Sequence, residues 1–176
     1  MIDLGELVRF LVKAKRGTYA GDGREIMPQR PGFKELEFSE GDWNYRDSYV
    51  GFFRAPGQEV VRFQGQPVWT MSYDGGMLPN FRDNVAFAKE TFVFLKRALS
   101  LCPEHIPFRG PYELRDREMK FQYINFPEGN VTDFRGSEHI HINVSVDSPH
   151  PVLEVFRQNY FGGLVIPNSW SETLFL

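Results

Sequence analysis

A chain of 176 residues with 20 basic and 23 acidic side chains, a formal net charge of −3 and 15% aromatics is long enough to bury one core, and one domain is expected. The slight acidity supplies no field to draw nucleic acid or an anionic membrane, and no apolar run approaches the ~20 residues that cross a bilayer. The lone Cys102 cannot form an internal disulfide, and the start MIDLGELVRF lacks the basic region and cleavage site of a secretory signal, so a soluble cytoplasmic protein is expected.

Asp3-Leu4-Gly5-Glu6 has capping-box spacing, and Leu4, Leu7, Val8, Leu11 and Val12 follow at helical period, so a helix begins at Asp3 and closes at Gly17. Lys13, Lys15 and Arg16 read as a solvated helix end complementing the dipole rather than as a phosphate patch. The Gly- and Pro-rich stretch from Thr18 to Gly32 reads as a loop, and Gly21-Asp22-Gly23 lacks the partners of a phosphate-binding signature. Phe33 to Phe38 alternates as a short strand.

The stretch from Asp42 to Gly76 reads as a three-stranded antiparallel meander. Trp43, Tyr45, Tyr49 and Phe53 share a parity with Asp47 among them. Pro56-Gly57 suits a type II turn, Glu59 to Gln64 forms the second strand, and Gln64-Gly65-Gln66-Pro67 makes the next turn. Trp69, Met71 and Tyr73 then alternate along a strand that Asp74-Gly75-Gly76 closes. Phe81, Val85, Ala88, Phe92, Leu95 and Leu99 repeat at three-four spacing, a core helix ended by Cys102-Pro103. A connector with three prolines leads to alternation at Met119, Phe121 and Tyr123, a turn at 127–130, and a segment Val131 to Phe134. Ile140, Ile142, Val144 and Val146 then alternate with His139, His141, Asn143 and Ser145. After a turn at 147–151, Val152 to Phe161 fits both a helical and a strand period. Gly162-Gly163 and the β-branched content favour strand. The chain divides into two halves, each a helix or loop followed by a meander, with no residue-level repeat evident.

Tyr45-Arg46-Asp47-Ser48-Tyr49, Gly57-Gln58-Glu59-Val60-Val61, Gly65 before Pro67-Val68-Trp69, the early Phe10-Leu11-Val12-Lys13-Ala14-Lys15 and the late Gly162-Gly163-Leu164 together resemble the bacterial domain of unknown function family 5680. The resemblance covers most of the chain. It implies a small soluble protein of a family in which some members follow a helix-turn-helix and are regulators, and it brings no activity or site residue. With no stretch for a DNA-binding domain ahead of Asp3, direct nucleic-acid binding is not expected here.

Three constellations carry candidate chemistry. Trp43, Tyr45, Tyr49, Trp69 and Tyr73, with Arg46, Asp47 and Glu59, make an aromatic floor with charge, the usual composition of a small-ligand site. The same rings would serve as core beneath the long helix. Asp47 and Glu59 in an aromatic setting would suit acid/base work, set against a cross-strand ion pair such as Arg46 with Glu59. His139 and His141 point the same way from one strand and would ligate a divalent metal given a third ligand from His105, His150, Glu138 or Asp133, set against two solvated imidazoles. Ser48 and Cys102 lack a recognisable base.

The sequence therefore predicts a single α+β domain over 1–176, a largely antiparallel sheet with two main helices on one face. The leading functional expectation is a cytoplasmic small-molecule-binding or sensor-like module without membrane association. A metal-assisted or acid/base enzyme and a homo-oligomeric interaction protein are the alternatives.

Overall fold

The computed structural model describes residues 2–118, 120–143 and 152–167. Met119, the end of the Ile140 alternation at Val144 to Val146, and the turn at 147–151 with His150 lie outside them.

Helix α1, Leu4–Gly17, starts where Asp3 accepts from the backbone N–H groups of Gly5 and Glu6, satisfying two donors that the first turn leaves free. The following loop holds a 3-10 turn, Tyr19–Gly21, and a two-residue strand β1, Glu25–Ile26. Then come β2 (Lys34–Glu40), β3 (Trp43–Tyr49), β4 (Gly57–Phe63) and β5 (Gln66–Met77). Helix α2, Val85–Ser100, is capped by Asn84, whose side chain accepts from Phe87 N–H. The second run is β6 (Glu113–Arg115), β7 (Phe121–Asn130), β8 (Asp133–Asn143) and β9 (Val152–Leu164). Among the described residues these strands form one antiparallel sheet in the order β1-β2-β3-β4-β5-β9-β8-β7-β6. The α+β class, the antiparallel sheet and the two helices agree with the sequence reading, and Val152 to Phe161 is strand.

Several turns differ from expectation. Gly57 is the first residue of β4, paired with Tyr49, and its φ is not positive. The β3–β4 connection is instead a seven-residue loop containing Gly51 at φ 97°, so the Pro56-Gly57 type II turn does not form. The second hairpin is a two-residue turn with both central residues at positive φ, Gln64 at 50° and Gly65 at 80°, which matches the twist of the flanking strands. Gly75-Gly76 does not end β5. The strand runs through to Met77 because those positions have no side chain: a Cβ at Gly75 would strike the Arg157 carbonyl and one at Gly76 the Phe53 carbonyl. The turn expected at 127–130 lies instead at Val131-Thr132: β7 runs on through Asn130, and Asp133 and Phe134 open β8.

The sheet has an approximate two-fold repeat that pattern reading passed over. Tyr45-x-Asp47, Gly57-x-Glu59-x-Val61 and Tyr73-x-Gly75-Gly76 of β3 to β5 reappear in β7 to β9 as Tyr123-x-Asn125, Gly136-x-Glu138-x-Ile140 and Tyr160-x-Gly162-Gly163. In register, Asp47 lies opposite Glu59 and Asn125 opposite Glu138. Tyr73 and Tyr160 face each other across the β5–β9 ladder, so the approximate axis passes between them. In each half the tyrosine lies flat across its glycine, where a Cβ would collide with Cζ and Oη of the ring. The phenol thereby crosses a whole strand: Tyr73 Oη donates to Asp47 at 2.7 Å and Tyr160 Oη to Asn125 at 2.7 Å.

Among the described residues the buried apolar side chains form two clusters, each drawing on both halves. One gathers α1 residues Leu7, Phe10 and Leu11 against Tyr45, Val61, Trp69 and Met71. The other gathers α2 residues Ala88, Phe94, Leu95 and Leu99 against Phe121, Ile140 and Phe156. The site lies where the two meet.

Candidate functional site

Between the helices and the centre of the sheet lies a cavity of about 440 Å³. Its walls are the rings of Tyr19, Tyr49, Phe52, Phe92 and Phe156, its floor is polar, and Lys34, Lys89, Lys96 and Glu25 stand around its mouth. Lys34 is matched by Glu25 at 3.3 Å and Lys96 by Asp22 at 2.5 Å.

Five buried ionic groups share the floor and its margin. Lys15 reaches from the last turn of α1 to bond Glu59 on β4. Arg109, from the connector after α2, places Nη1 3.7 Å from Glu59 and Nη2 2.5 Å from Glu138 on β8, and Nε donates to the same Glu138 oxygen at 2.9 Å. The other Glu138 oxygen accepts from Tyr123 Oη at 2.8 Å. Asp47, 4% exposed, receives the Tyr73 hydroxyl and faces Glu59 across the β3–β4 ladder. Burial, then the neighbouring Glu59 charge, raises the Asp47 carboxyl to about 7, while Tyr73, Lys15 and Arg109 pull the other way. Those are the effects of desolvation and like charge on a carboxylic acid. Burial would lower the Arg109 guanidinium, but Glu138 and Glu59 hold it above its usual value. Burial raises the Tyr19 phenol at the cavity wall to about 12.

A further polar group belongs to β9. Gln158 lines the cavity at 4% exposure, and its Nε2 is buried without a hydrogen-bond partner. An orphaned buried donor of this kind costs roughly 1–3 kcal/mol unless something bonds it.

The expected floor residues separate into two groups. Tyr45, Asp47, Tyr49, Glu59 and Tyr73 all line the cavity. Trp69 and Trp43 are core instead: Trp69 is fully buried, stacks on Phe134 at 5.5 Å and donates to the Val131 carbonyl at 3.0 Å, and Trp43 stacks on Phe10 at 5.4 Å. Arg46 is on the other face of β3, with Glu37 at 3.2 Å and Glu35 at 3.4 Å. It is not the partner of Glu59, because adjacent strand residues point to opposite faces; Lys15 and Arg109 take that place. Lys15, expected to be solvated, is 6% exposed, since it falls four residues after Leu11 on the apolar face of α1.

His139 and His141 do not line the cavity. Their rings stack at 6.2 Å, with His139 Nδ1 2.5 Å from Glu154 and Nε2 2.9 Å from Ser137. Burial lowers His141 below the ordinary imidazole value. Among the described residues no group of three or more His, Cys, Asp or Glu is placed to hold a metal ion, and no helix is long and apolar enough to cross a membrane. Cys102 is buried with its thiol raised to about 11 by burial, which suits an inert side chain rather than a nucleophile.

Sequence reasoning missed Lys15, Arg109, Gln158 and the central place of Glu138. The signals were the helical phase of Lys15 and the repeated Gly-x-Glu; Arg109 and Gln158 left none. No curated protein and no solved structure matches the chain significantly. A family model described as a domain of unknown function, DUF5680, matches residues 47–165, from the Asp47 of the cavity floor to the residue after β9, and the chain belongs to that family.

Proposed function

We propose that this protein is a small-molecule-binding, sensor-like module whose ligand occupies the cavity between α1, α2 and the centre of the sheet. The observation that carries the reading is a 440 Å³ aromatic-walled space floored by buried Asp47, Glu59 and Arg109, with the unpartnered Nε2 of Gln158 beside them. A concave apolar chamber with a few convergent polar groups is the usual composition of a ligand site. Burying several ionic groups beside one cavity is costly for a purely structural element. A cytoplasmic setting is part of this reading and is supported by the lone, buried Cys102, which has no cysteine in the chain to pair with.

The test is a thermal-shift screen of a metabolite library against the wild type and Ala20→Trp, which fills the cavity from the 3-10 turn after α1. Compounds that raise the melting temperature of the wild type and not of the variant are expected. A screen without hits, or hits that stabilise both proteins equally, would remove the reading.

A second reading draws on the raised Asp47 carboxyl, about 7, which suits proton transfer near neutral pH. On that reading Asp47 is a general acid or base toward a bound substrate and Glu59, held by Lys15, sets its charge environment. Turnover of a screened ligand that disappears in Asp47→Asn while binding persists would support it.

A further inference from the structure

The two halves of the sheet place equivalent tyrosines and glutamates, yet Tyr45 and Asp47 of the first line the cavity while their counterparts Tyr123 and Asn125 do not. The difference lies in one peptide group. In the second half Gly110 fills the place beside the Tyr123 hydroxyl and the Asn125 amide: its N–H donates to Tyr123 Oη at 3.1 Å and its carbonyl accepts from Asn125 Nδ2 at 2.9 Å. In the first half Tyr45 and Asp47 occupy the equivalent positions and line the cavity. Among the described residues, no hydrogen bond from the loop after α1 reaches either of them.

The change from Asn125 to Asp47 alters what a guest must offer. An amide donates to a carbonyl, whereas a carboxylate accepts only. A guest resting on the ionised Asp47 must therefore bring N–H groups where Gly110 brings a C=O. Formal charge points the same way. Asp47, Glu59 and Glu138 contribute three negative charges, against the positive charges of Lys15 and Arg109. The set is thus one cation short when Asp47 is ionised. The walls of Tyr19, Tyr49, Phe52, Phe92 and Phe156 suit an apolar body and attract a cation through their ring faces. Further along the floor, the Gln158 amide has a donor to spare.

From this we infer that the ligand is an organic ammonium compound with an aromatic or apolar body, its N–H groups held by Asp47 and a hydrogen-bond acceptor on its body met by the Gln158 amide. The inference rests on the cavity being a binding site and adds the class of ligand. Binding is coupled to a proton: the neutral carboxyl of Asp47 gives its proton to solvent as the ammonium takes its place, so the charge of the buried set stays constant. The groups that face Asp47 are Glu59 from β4, Tyr73 from β5, Tyr45 and Tyr49 from its own strand, Lys15 from α1, Tyr19 from the 3-10 turn and Arg109 from the connector. Helix α2 presents Lys89 and Lys96 at the mouth, Lys96 paired with Asp22 and Lys89 in water on an exposed turn.

The experiment uses probes that share one skeleton and carry an ordinary alkylamine, alcohol or acid: 2-(4-methoxyphenyl)ethylamine and 2-phenylethylamine as cations, 2-phenylethanol as neutral and 3-phenylpropanoate as anion. Each is titrated calorimetrically at pH 6 and pH 8 into the wild type, Asp47→Asn and Gln158→Leu. The cations are expected to bind roughly tenfold or more tighter than the neutral and anionic probes at pH 8, one pKa unit being worth a factor of ten. That preference shrinks at pH 6 and is lost in Asp47→Asn, while Gln158→Leu weakens 2-(4-methoxyphenyl)ethylamine more than 2-phenylethylamine. The wild type alone supplies a second readout: heats measured in two buffers of different ionisation enthalpy reveal release of roughly half a proton near pH 7 and close to one at pH 6, since the Asp47 carboxyl is raised to about 7. If the neutral or anionic probe binds as well as the cations, or Asp47→Asn keeps the preference, the ammonium assignment is overturned and the cavity remains a binding site. If no probe binds and the library screen is also empty, both readings fall.

Discussion

Asp47 and Asn125 receive the same bond from equivalent tyrosines, which makes the first a charge variant of the second and shows that an amide fits the geometry. The substitution Asp47→Asn is therefore the cleanest probe of the buried acid. The folded carboxyl is raised to about 7, above its ordinary value, so the native state holds a proton that the unfolded chain releases. The wild type is thus most stable below the unfolded pKa, and loses stability as pH rises through about 7. His141, lowered by burial, drives stability the opposite way with pH, but it is common to both proteins and cancels in their difference. Asp47→Asn is expected to gain on the wild type between pH 5 and pH 8 by an amount on the order of a few kcal/mol, measured by urea unfolding at the two pH values. A difference that does not change with pH would show that Asp47 is not the titrating group. Lys15→Met should act in the other direction. It strands Glu59 beside Asp47 without its nearest cation, and a loss of roughly 3–5 kcal/mol is expected at pH 8; a loss under ~1 kcal/mol would mean that Arg109 alone neutralises Glu59.

The strands carry the repeat through the Tyr-over-Gly crossing, in which a phenol spans one strand to reach the next. Gly57→Ala and Gly136→Ala would each drive a methyl into the ring of Tyr73 or Tyr160, and each should cost roughly 1–3 kcal/mol through overpacking. The cavity-side change at Gly57 should also weaken any ligand, whereas the change at Gly136 should affect stability alone. Equal effects of the two on binding would argue against a site confined to the first half. At this level much was legible. The heptad-like stripe from Phe81 to Leu99 and the cap at Asp3 identified both helices, and parity placed Tyr45, Asp47 and Tyr49 on one face, because one-sided burial leaves a periodic trace. Glycines misled where they served space rather than turning: Gly57 and Gly75-Gly76 resemble breaks in a string of letters but sit inside strands. Arg109 was invisible, since its partners come from β4 and β8, and no local period encodes a meeting of segments so distant in sequence. The repeat itself was present in the letters, but unequal loops hide it: Tyr45 precedes Gly57 by 12 residues and Tyr123 precedes Gly136 by 13, while 16 and 24 residues separate those glycines from Tyr73 and Tyr160.

The whole molecule is two similar units joined through the β5–β9 ladder and through ion pairs. A protease site inserted between Asp83 and Asn84, both exposed, should be cleavable without loss of structure, because the ladder from Trp69 to Met77 holds the parts together. The cleaved protein is expected to elute from a sizing column as one species with an unchanged circular dichroism spectrum, and separate fragments would contradict that. Arg109 tightens the join like a rivet, its shank in the second unit and its head against Glu59 in the first. A chain stopping at Ser100 would keep β1 to β5 yet leave two neighbouring acids, Asp47 and Glu59, to share the single amine of Lys15. In such a shortened form the Asp47 carboxyl would keep its proton to a still higher pH, because the guanidinium that pulls its value down would be gone.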